Sequence, residues 1–245
     1  MKSLIYQFKF EFVKAFRDKT LLMLTYLMPL GFYLMMGLFM VEINPFFLDI
    51  LIPSMVIFTI LTSTLMGIPS IIVDNRNLGV LKSYKLYGID KYQYVFINSL
   101  TSLIHVLINS LIIVISANYL FNAPTPDNYG LFILLIIIGV FTFTGISTLI
   151  GVISKNNKTT ILFAQAIYLP SMILSGVMVP NEMIPSSVSK ISNIIPTTYL
   201  MQGFRELAYT NASNIADYSS CFVLISIGLV SYVFSLNFFK YSIVN

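Results

Sequence analysis

Charged residues are scarce in this sequence: Asp, Glu, Lys and Arg make up only 10% of its 245 residues, whereas 57% are hydrophobic. A soluble domain carries roughly a quarter charged residues, so a water-soluble fold is excluded. The 14 Lys and Arg against 10 Asp and Glu leave a charge of +4, too small and too scattered for a nucleic-acid-binding surface. The single cysteine, Cys221, excludes a disulfide framework and a cysteine-based metal cluster.

The usual catalytic motifs are also missing. The sequence contains no G-x-x-x-x-G-K-[ST] phosphate loop, so ATP hydrolysis by that mechanism is not expected of it. It contains neither H-E-x-x-H nor G-x-S-x-G, and one histidine cannot supply a multi-histidine metal site. The acidic residues lie outside the centres of the apolar segments, which disfavours a carboxylate ion relay. We expect no catalytic residue, metal or cofactor on this chain, and an energy source on another subunit.

Long apolar segments dominate what remains. A helix needs about 20 mostly apolar residues to cross the hydrocarbon layer, and continuous apolarity favours helices over the alternating strands of a barrel. The sequence therefore predicts an all-α integral membrane protein, a single transmembrane domain over residues 1–245 with six spans. The predicted spans lie near 21–41, 50–72, 95–117, 131–153, 160–179 and 219–239.

The segment before the first span, residues 2–19, has a different pattern. On a helical wheel its apolar and polar residues separate onto opposite sides, which is typical of a helix lying in the headgroup region. The alternative is a disordered basic tail. The apolar side comprises Leu4, Ile5, Phe8, Phe12, Ala15 and Phe16, and the polar side comprises Gln7, Glu11, Lys14, Arg17 and Asp18.

The distribution of basic residues predicts the orientation. Loops on the cytoplasmic side of a membrane collect Lys and Arg. With six spans and the N-terminus inside, twelve of the fourteen Lys and Arg fall in the cytoplasm, and only Lys190 and Arg205 fall outside. We predict a multi-pass protein of the plasma membrane with both termini in the cytoplasm. Its tryptophan-free composition, rich in Ile, Asn and Lys, is typical of bacteria.

Two stretches resemble a known family. The first is YLPSMILSGVMVPNEMIPSSVSKISNIIPTTYLMQGFREL, residues 168–207, and the second is the loop DNRNLGVLKSYKLYGIDKYQY, residues 74–94. Both are similar to type-2 ABC transporter permeases, although Gly88-Ile89 stands where many members carry a proline. In that family a Ser-Gly pair and a proline end the fifth span, a second proline opens a short external helix, and a Pro-x-x-Tyr element with a later glycine and arginine follows. The matching residues are Ser175, Gly176, Pro180, Pro185, Pro196, Tyr199, Gly203 and Arg205.

The resemblance implies the membrane subunit of an ATP-driven exporter. Such permeases work as two identical or homologous chains with two ATPase subunits, which bind the ATP and Mg. The resemblance also implies that the N-terminal interfacial helix and the 73–94 loop couple the ATPase to the membrane. Charges and leucines of this loop fit a docking mode in which apolar anchors enter a groove. The alternative is a solvated loop against anionic lipid. The candidate coupling residues are Asp74, Arg76, Leu78, Gly79, Leu81, Lys82, Lys85 and Leu86.

Candidate substrate contacts lie in the second and fifth spans, which the resemblance places at the central two-fold seam. They are Thr59, Ser63 and Met66, and Gln165, Tyr168 and Met172. Hydroxyl groups and adaptable Met side chains on apolar faces suit an amphipathic or lipidic substrate. Plain helix packing is the alternative.

The third span carries a stripe of four polar residues within about a 60° arc of the helix. These residues are Asn98, Ser102, His105 and Asn109. Interhelical hydrogen bonds explain such a stripe. The alternative makes His105 a substrate contact or a proton-sensitive element.

The sequence thus predicts a non-catalytic permease that exports a drug, an antimicrobial peptide or a lipid-like antibiotic, which associates it with antibiotic resistance. Two other functions stay open: a membrane assembly or sensor protein without transport activity, and a lipid-modifying membrane enzyme. The missing catalytic acids disfavour the enzyme.

Overall fold

A computed structural model describes residues 2–43, 47–178, 191–209 and 218–241, and all regular elements within these ranges are helices. The helices are α1 (Lys2–Arg17), α2 (Lys19–Ile43), α3 (Leu48–Asn77), α4 (Val80–Leu86), α5 (Lys91–Phe121), α6 (Tyr129–Ile153), α7 (Asn157–Leu174), α8 (Pro196–Gly203) and α9 (Ser219–Phe238). Helix α2 contains a π turn at Met23–Leu27, α3 contains one at Thr62–Gly67, and a third, Phe204–Ala208, follows α8.

Five of the described helices, namely α2, α3, α5, α6 and α9, are long and apolar enough to cross a membrane. They coincide with the predicted first, second, third, fourth and sixth spans. The segment predicted as the fifth span, 160–179, overlaps α7, which ends at Leu174 and is not among the five. The all-helical membrane fold is confirmed, and the count of six spans stays a prediction.

Helix α3 is the centre of the bundle. In the most apolar stretch of α3, 83% of the residues are buried within the protein, compared with 28% in α2 and in α9. Its threonines tolerate this burial because their hydroxyls donate to carbonyls of the preceding turn: Thr59 to Met55 and Thr62 to Phe58, each at 2.9 Å. Any motion of α3 must therefore displace the helices around it.

Helices α6 and α9 make the most extensive helix pair in the described bundle. Glycines let their backbones approach, as is usual between helices in lipid. A Cβ atom on Gly145 would lie 3.0 Å from the carbonyl oxygen of Gly228. At the same contact, Thr142 Oγ1 donates across to the Leu224 carbonyl at 2.9 Å. This contact fixes α9 against α6.

Asparagine and aspartate side chains mark where several helices begin. Asp18, Asp90, Asn128 and Asn156 each accept a hydrogen bond from a backbone N–H in the first turn of the following helix. Such caps satisfy donors that a helix terminus otherwise leaves unpaired. The caps place the ends of α5, α6 and α7 at defined levels.

Helix α1 runs over Lys2–Arg17, close to the predicted range of 2–19, but its sides are arranged differently from the prediction. Gln7 and Glu11, predicted on the side away from the apolar layer, are each only 6% exposed and face the other helices. Tyr6 and Phe10 are 73% and 60% exposed. The reason is that Glu11 has a hydrogen-bonding partner inside the protein, which compensates for its burial. The position of α1 at a membrane interface stays a prediction.

Helix α8 lies between the predicted fifth and sixth spans and begins at Pro196, whereas the short external helix was predicted to open at Pro185. Pro196 occupies the first turn of α8, where its missing N–H leaves no hydrogen bond unmade. The external location of α8 stays a prediction. Pro180 and Pro185 lie outside the described residues.

Candidate functional site

The loop between α3 and α5 presents a small exposed surface built on α4. Gly79 separates α3 from α4 with φ of +75°, a left-handed conformation that glycine adopts without strain. Leu78 and Leu86 are 78% and 86% exposed, and the Lys82 and Lys85 side chains are exposed between them. Two apolar side chains with two cations beside them form what we call the α4 surface. Apolar side chains with charges beside them are the pattern that a docking helix offers to a groove.

Leu81, predicted to enter a partner's groove, lies elsewhere. It is 1% exposed and belongs to an apolar cluster that includes Ile72, Tyr94 and Val152. Burial inside its own chain leaves Leu81 unavailable to a partner, and it anchors α4 to α3, α5 and α6 instead. The α4 surface is therefore fixed to the membrane helices beneath it.

Arg76 is also buried, and its side chain caps the end of another helix, α6. Its guanidinium donates to the carbonyl of Val152 at 3.1 Å and to that of Ser154. These carbonyls end α6, where a cation also interacts favourably with the helix dipole. Beside it, Asn157 Nδ2 donates to Asp74 Oδ1 at 2.7 Å. Both predicted coupling residues thus join α3 to the α6–α7 connection.

Glu11 and Tyr84 tie α1 to α4. The Tyr84 hydroxyl donates to Glu11 Oε1 at 2.8 Å, and Lys14 Nζ lies 3.8 Å from Glu11 Oε2. Burial raises the pKa of Tyr84, and the neighbouring Glu11 carboxylate raises it further, so Tyr84 remains a neutral donor. Nearby, Asn75 Nδ2 donates to the Tyr94 hydroxyl at 2.9 Å, joining α3 to α5. Hydrogen bonds therefore connect the α4 surface to α1, while its own helix packs on α3 and α5.

His105, on α5, lies at the junction of α1, α2 and α5. Its Nδ1 is 2.7 Å from the Tyr26 hydroxyl, and its ring stacks on Phe12 with centroids 4.8 Å apart. Another stripe residue, Asn109, donates from Nδ2 to the Thr25 carbonyl at 2.7 Å, within the π turn of α2. The predicted polar stripe thus faces other helices, and two of its members bond across to α2.

A polar cavity of about 50 Å³ lies beside His105, between α1, α2, α3 and α5. Ser63 of α3 and Thr101 of α5 line it, and their hydroxyls, like His105 Nε2, have no protein partner. A polar cavity of this size accommodates water. Cavities for drug-sized ligands occupy roughly 300–1,000 Å³. This cavity therefore suits water rather than the predicted substrates.

The predicted substrate contacts of the second and fifth spans come together at one place. Gln165 Nε2 of α7 lies 3.8 Å from Met66 Sδ of α3, and both side chains are half-buried. Three other candidates, Thr59, Tyr168 and Met172, are buried in the core. Only the Met66–Gln165 pair and its surroundings are available to a molecule outside the chain, among the candidates on these two helices.

The residues of the family motif have structural surroundings of their own. Ser175 is buried and its hydroxyl donates to the Ser171 carbonyl, and Gly176 has φ of +80° just after α7. The Tyr199 hydroxyl donates to the Asn193 carbonyl at 2.8 Å. A Cβ atom on Gly203 would lie 2.8 Å from Leu135 of α6. Arg205 is half-buried in the π turn after α8.

The sequence did not predict the contacts that four residues of this region make: Glu11, Tyr26, Asn75 and Tyr84. Their partners are 19 to 79 residues away, so no local pattern reveals the pairs. The contact between Glu11 of α1 and Tyr84 of α4 becomes visible only once the fold is known. Among the described residues, no group of three His, Cys, Asp or Glu side chains is placed to hold a metal.

Comparisons with known proteins agree with the membrane fold. Residues 42–237 match the family model described as ABC-2 family transporter protein. Over 164 residues the chain is 25% identical to ABC transporter G family member 20 of Dictyostelium discoideum, which covers 67% of this chain and 22% of that protein. Over 141 residues it is 24% identical to the inner membrane transport permease YhhJ of Escherichia coli strain K12, covering 58% of this chain and 38% of that protein.

The chain thus spans well under half of the curated relatives it matches. No solved structure matches it significantly. The family model extends from the end of α2 through the last residues of α9 and so includes every element of the α4 surface and the His105 junction except α1 and the π turn of α2. The chain belongs to the ABC-2 family of transporter proteins.

Proposed function

We propose that this chain is the membrane-spanning permease subunit of an ATP-driven exporter, and that a separate ATPase subunit hydrolyses ATP. Family membership supports a transporter component. In this proposal the ATPase supplies the phosphate loop that these 245 residues do not contain. The observation that carries the proposal is the α4 surface, which exposes Leu78 and Leu86 to solvent on a helix anchored to the membrane bundle.

The substrate in this proposal is a hydrophobic or amphipathic molecule, such as a drug, an antimicrobial peptide or a lipid-like antibiotic. It passes between α3 and α7 of two permease chains, identical or homologous, with two ATPase subunits on the cytoplasmic side. The half-buried Met66 and Gln165 support this path because an adaptable thioether beside an amide tolerates varied ligands. The plasma membrane, both termini in the cytoplasm and a bacterial origin complete the proposal.

Charge reversal on the α4 surface tests the docking role. The full chain, with an affinity tag, is captured from its own membranes, and the co-purified proteins are identified by mass spectrometry. A partner containing G-x-x-x-x-G-K-[ST] is expected with the unaltered chain and is expected to be lost with Lys82→Glu/Lys85→Glu. The matched control is Lys155→Glu/Lys158→Glu, which reverses two exposed lysines, one just before α7 and one in its first turn.

An unaltered chain that captures no such ATPase would favour the alternative of a membrane assembly or sensor protein without transport activity. ATP hydrolysis by the purified chain alone would contradict the division into permease and motor. Turnover of a phospholipid by that chain would favour a lipid-modifying enzyme. Equal loss of the partner in both double variants would contradict a specific role of the α4 surface.

A further inference from the structure

A lateral groove of about 370 Å³ lies between α5, α6 and α9, on the opposite side of α5 from the His105 cavity. Its walls are almost entirely apolar, and one of the side chains that form them, Phe96 of the membrane-length helix α5, is 60% exposed. The groove therefore opens sideways toward the membrane. Its main apolar walls are Phe96, Leu100, Leu103, Ile137, Val140 and Leu236.

The Ser99 and Tyr232 hydroxyls on the wall of this groove are already hydrogen-bonded within the protein. The Tyr232 hydroxyl lies 2.7 Å from Ser99 Oγ and 2.5 Å from Thr144 Oγ1. Ser99 Oγ also donates to the Val95 carbonyl at 3.0 Å. Because these hydroxyls satisfy each other, the groove favours an occupant without hydrogen-bonding groups along its length. An acyl chain has this property.

The length of the groove matches one membrane leaflet. Its wall on α5 runs from Tyr92 to Leu103, which is about 16 Å along a helix. The hydrocarbon layer is about 30 Å thick, so the groove reaches from the headgroup level to about the midplane. Its occupant is therefore expected to enter from a single leaflet.

Basic side chains gather at the headgroup end of the groove. Lys91 Nζ donates to the Leu236 carbonyl at 2.7 Å, bridging α5 and α9 at this level. Lys240 is exposed just beyond α9, and Lys85 Nζ lies 5.1 Å from the Tyr241 ring centroid. Asp90, the acidic neighbour, is engaged in capping α5. The three cations outnumber the carboxylate, and a positive rim attracts a phosphate group.

We propose that this groove holds one acyl chain of an anionic glycerophospholipid, with the phosphate at Lys91 and Lys240. The lipid belongs to the leaflet on the side of the α4 surface, which is the cytoplasmic leaflet in the proposed topology. Bound there, it would wedge between α5 and α9 and stabilise their spacing. This role is separate from transport and holds whichever ATPase or substrate the chain serves.

The chain contains no tryptophan, so one introduced tryptophan reports lipid contact without background. The reporter is Phe96→Trp on the groove wall. The matched control is Phe234→Trp on α9, which lies at a similar depth, is 50% exposed and is outside the groove. Each full-length variant is reconstituted in phosphatidylcholine vesicles that also contain a lipid with brominated acyl chains. This lipid is either brominated phosphatidylglycerol or brominated phosphatidylcholine, and the bromine quenches tryptophan fluorescence on contact.

We expect brominated phosphatidylglycerol to quench Phe96→Trp at lower mole fraction than brominated phosphatidylcholine, whereas the two lipids quench Phe234→Trp equally. Adding Lys91→Gln or Lys240→Gln to the reporter is expected to lower the preference about fivefold each, since a lysine near an anionic lipid contributes about 1 kcal/mol. Glutamine at 91 removes the positive charge and retains a side-chain N–H donor.

Equal quenching of Phe96→Trp by both lipids would overturn the proposal, and so would a phosphatidylglycerol preference that survives both lysine substitutions. A Phe96→Trp reporter that neither lipid quenches would show the groove covered by protein, which also overturns it. None of these outcomes depends on ATPase binding, so the failure of this inference is distinguishable from the failure of the permease function.

Discussion

Replacing Arg76 by methionine should loosen the contact between the end of α3 and the end of α6. The change keeps an unbranched side chain and removes the guanidinium that donates to the Val152 and Ser154 carbonyls, with the Gly151 carbonyl a more distant 3.5 Å away. A hydrogen bond from a charged group contributes about 1.5–3 kcal/mol. Counting the two shorter bonds at the lower value, the free energy of unfolding should fall by about 3 kcal/mol.

Cys221 provides the assay. It is the only cysteine, and it is 7% exposed on α9, so a fluorogenic thiol reagent reports its exposure as the protein melts. For a chain of this size, 1 kcal/mol shifts the melting temperature by about 2–4 °C, so Arg76→Met should melt about 6–12 °C lower in one detergent at one pH. The melting temperature of Arg76→Lys should lie between those of Arg76→Met and the unaltered protein, because the lysine ammonium is a point charge that reaches fewer carbonyls.

The matched control is Arg17→Met, which removes an exposed guanidinium at the end of α1. A surface substitution of this kind changes stability by no more than about 0.5 kcal/mol. If Arg76→Met melts within the range of Arg17→Met, the guanidinium does not join the two helices and the reasoning fails.

Two further predictions use the same thiol assay. Tyr84→Phe removes the donor to Glu11 Oε1, so stability should fall by about 1.5–3 kcal/mol, and Glu11→Gln combined with it should add less than the sum of the single changes. The pKa of Tyr84 is raised in the folded chain, so the free energy of unfolding should decline as the pH rises above about 10, the pKa of an unperturbed tyrosine. The decline should be smaller in Tyr84→Phe, and parallel pH profiles of the two proteins would contradict this. Gly145→Ala places a Cβ against the Gly228 backbone and should cost about 1–3 kcal/mol. Gly139→Ala meets only side-chain ends, those of Leu200 and Ile60, and should cost less; the reverse order would contradict close packing of α6 on α9.

The membrane helices were predictable because hydropathy is a local property. Each of the five described spans contains an apolar stretch long enough to be recognised without knowledge of its neighbours. The fifth predicted segment shows the limit of this approach. The 18 residues of α7 form a helix as expected, but Asn157, Lys158 and Gln165 lower its hydropathy, and its membrane placement depends on surroundings that the sequence does not contain.

A helix is present at α1, but the helical wheel did not reveal that Gln7 and Glu11 on its polar side would be buried against other helices. A helical wheel gives the angles between side chains, but it does not say which face another helix covers. Glu11 is buried because Tyr84, 73 residues away, donates to it. A carboxylate with such a partner is stable inside the protein, whereas the same residue judged by its type belongs in water. The residue type therefore misled where a distant partner decided the outcome.

The position of the candidate site in the chain was predictable from the sequence, whereas the roles of its individual residues were not. The loop, its length and its charges are visible in the sequence, so the location of the α4 surface was foreseeable. The division of its residues was not, because Leu78, Leu81 and Leu86 are chemically identical. Packing on Ile72 and Tyr94 makes Leu81 structural and leaves the other two exposed.

Under the proposed function, the contacts beneath the α4 surface explain how force would reach the membrane. Leu81 packs α4 on α3 and α5, and Tyr84 bonds α4 to α1, so a partner that moves Leu86 must move these helices or break the contacts. Helix α3 is the most buried of the five membrane helices, and its displacement necessarily repacks its neighbours. Coupling needs contiguous contacts of this kind. The short path from the α4 surface to α3 is therefore where variants that uncouple ATP hydrolysis from transport should be found.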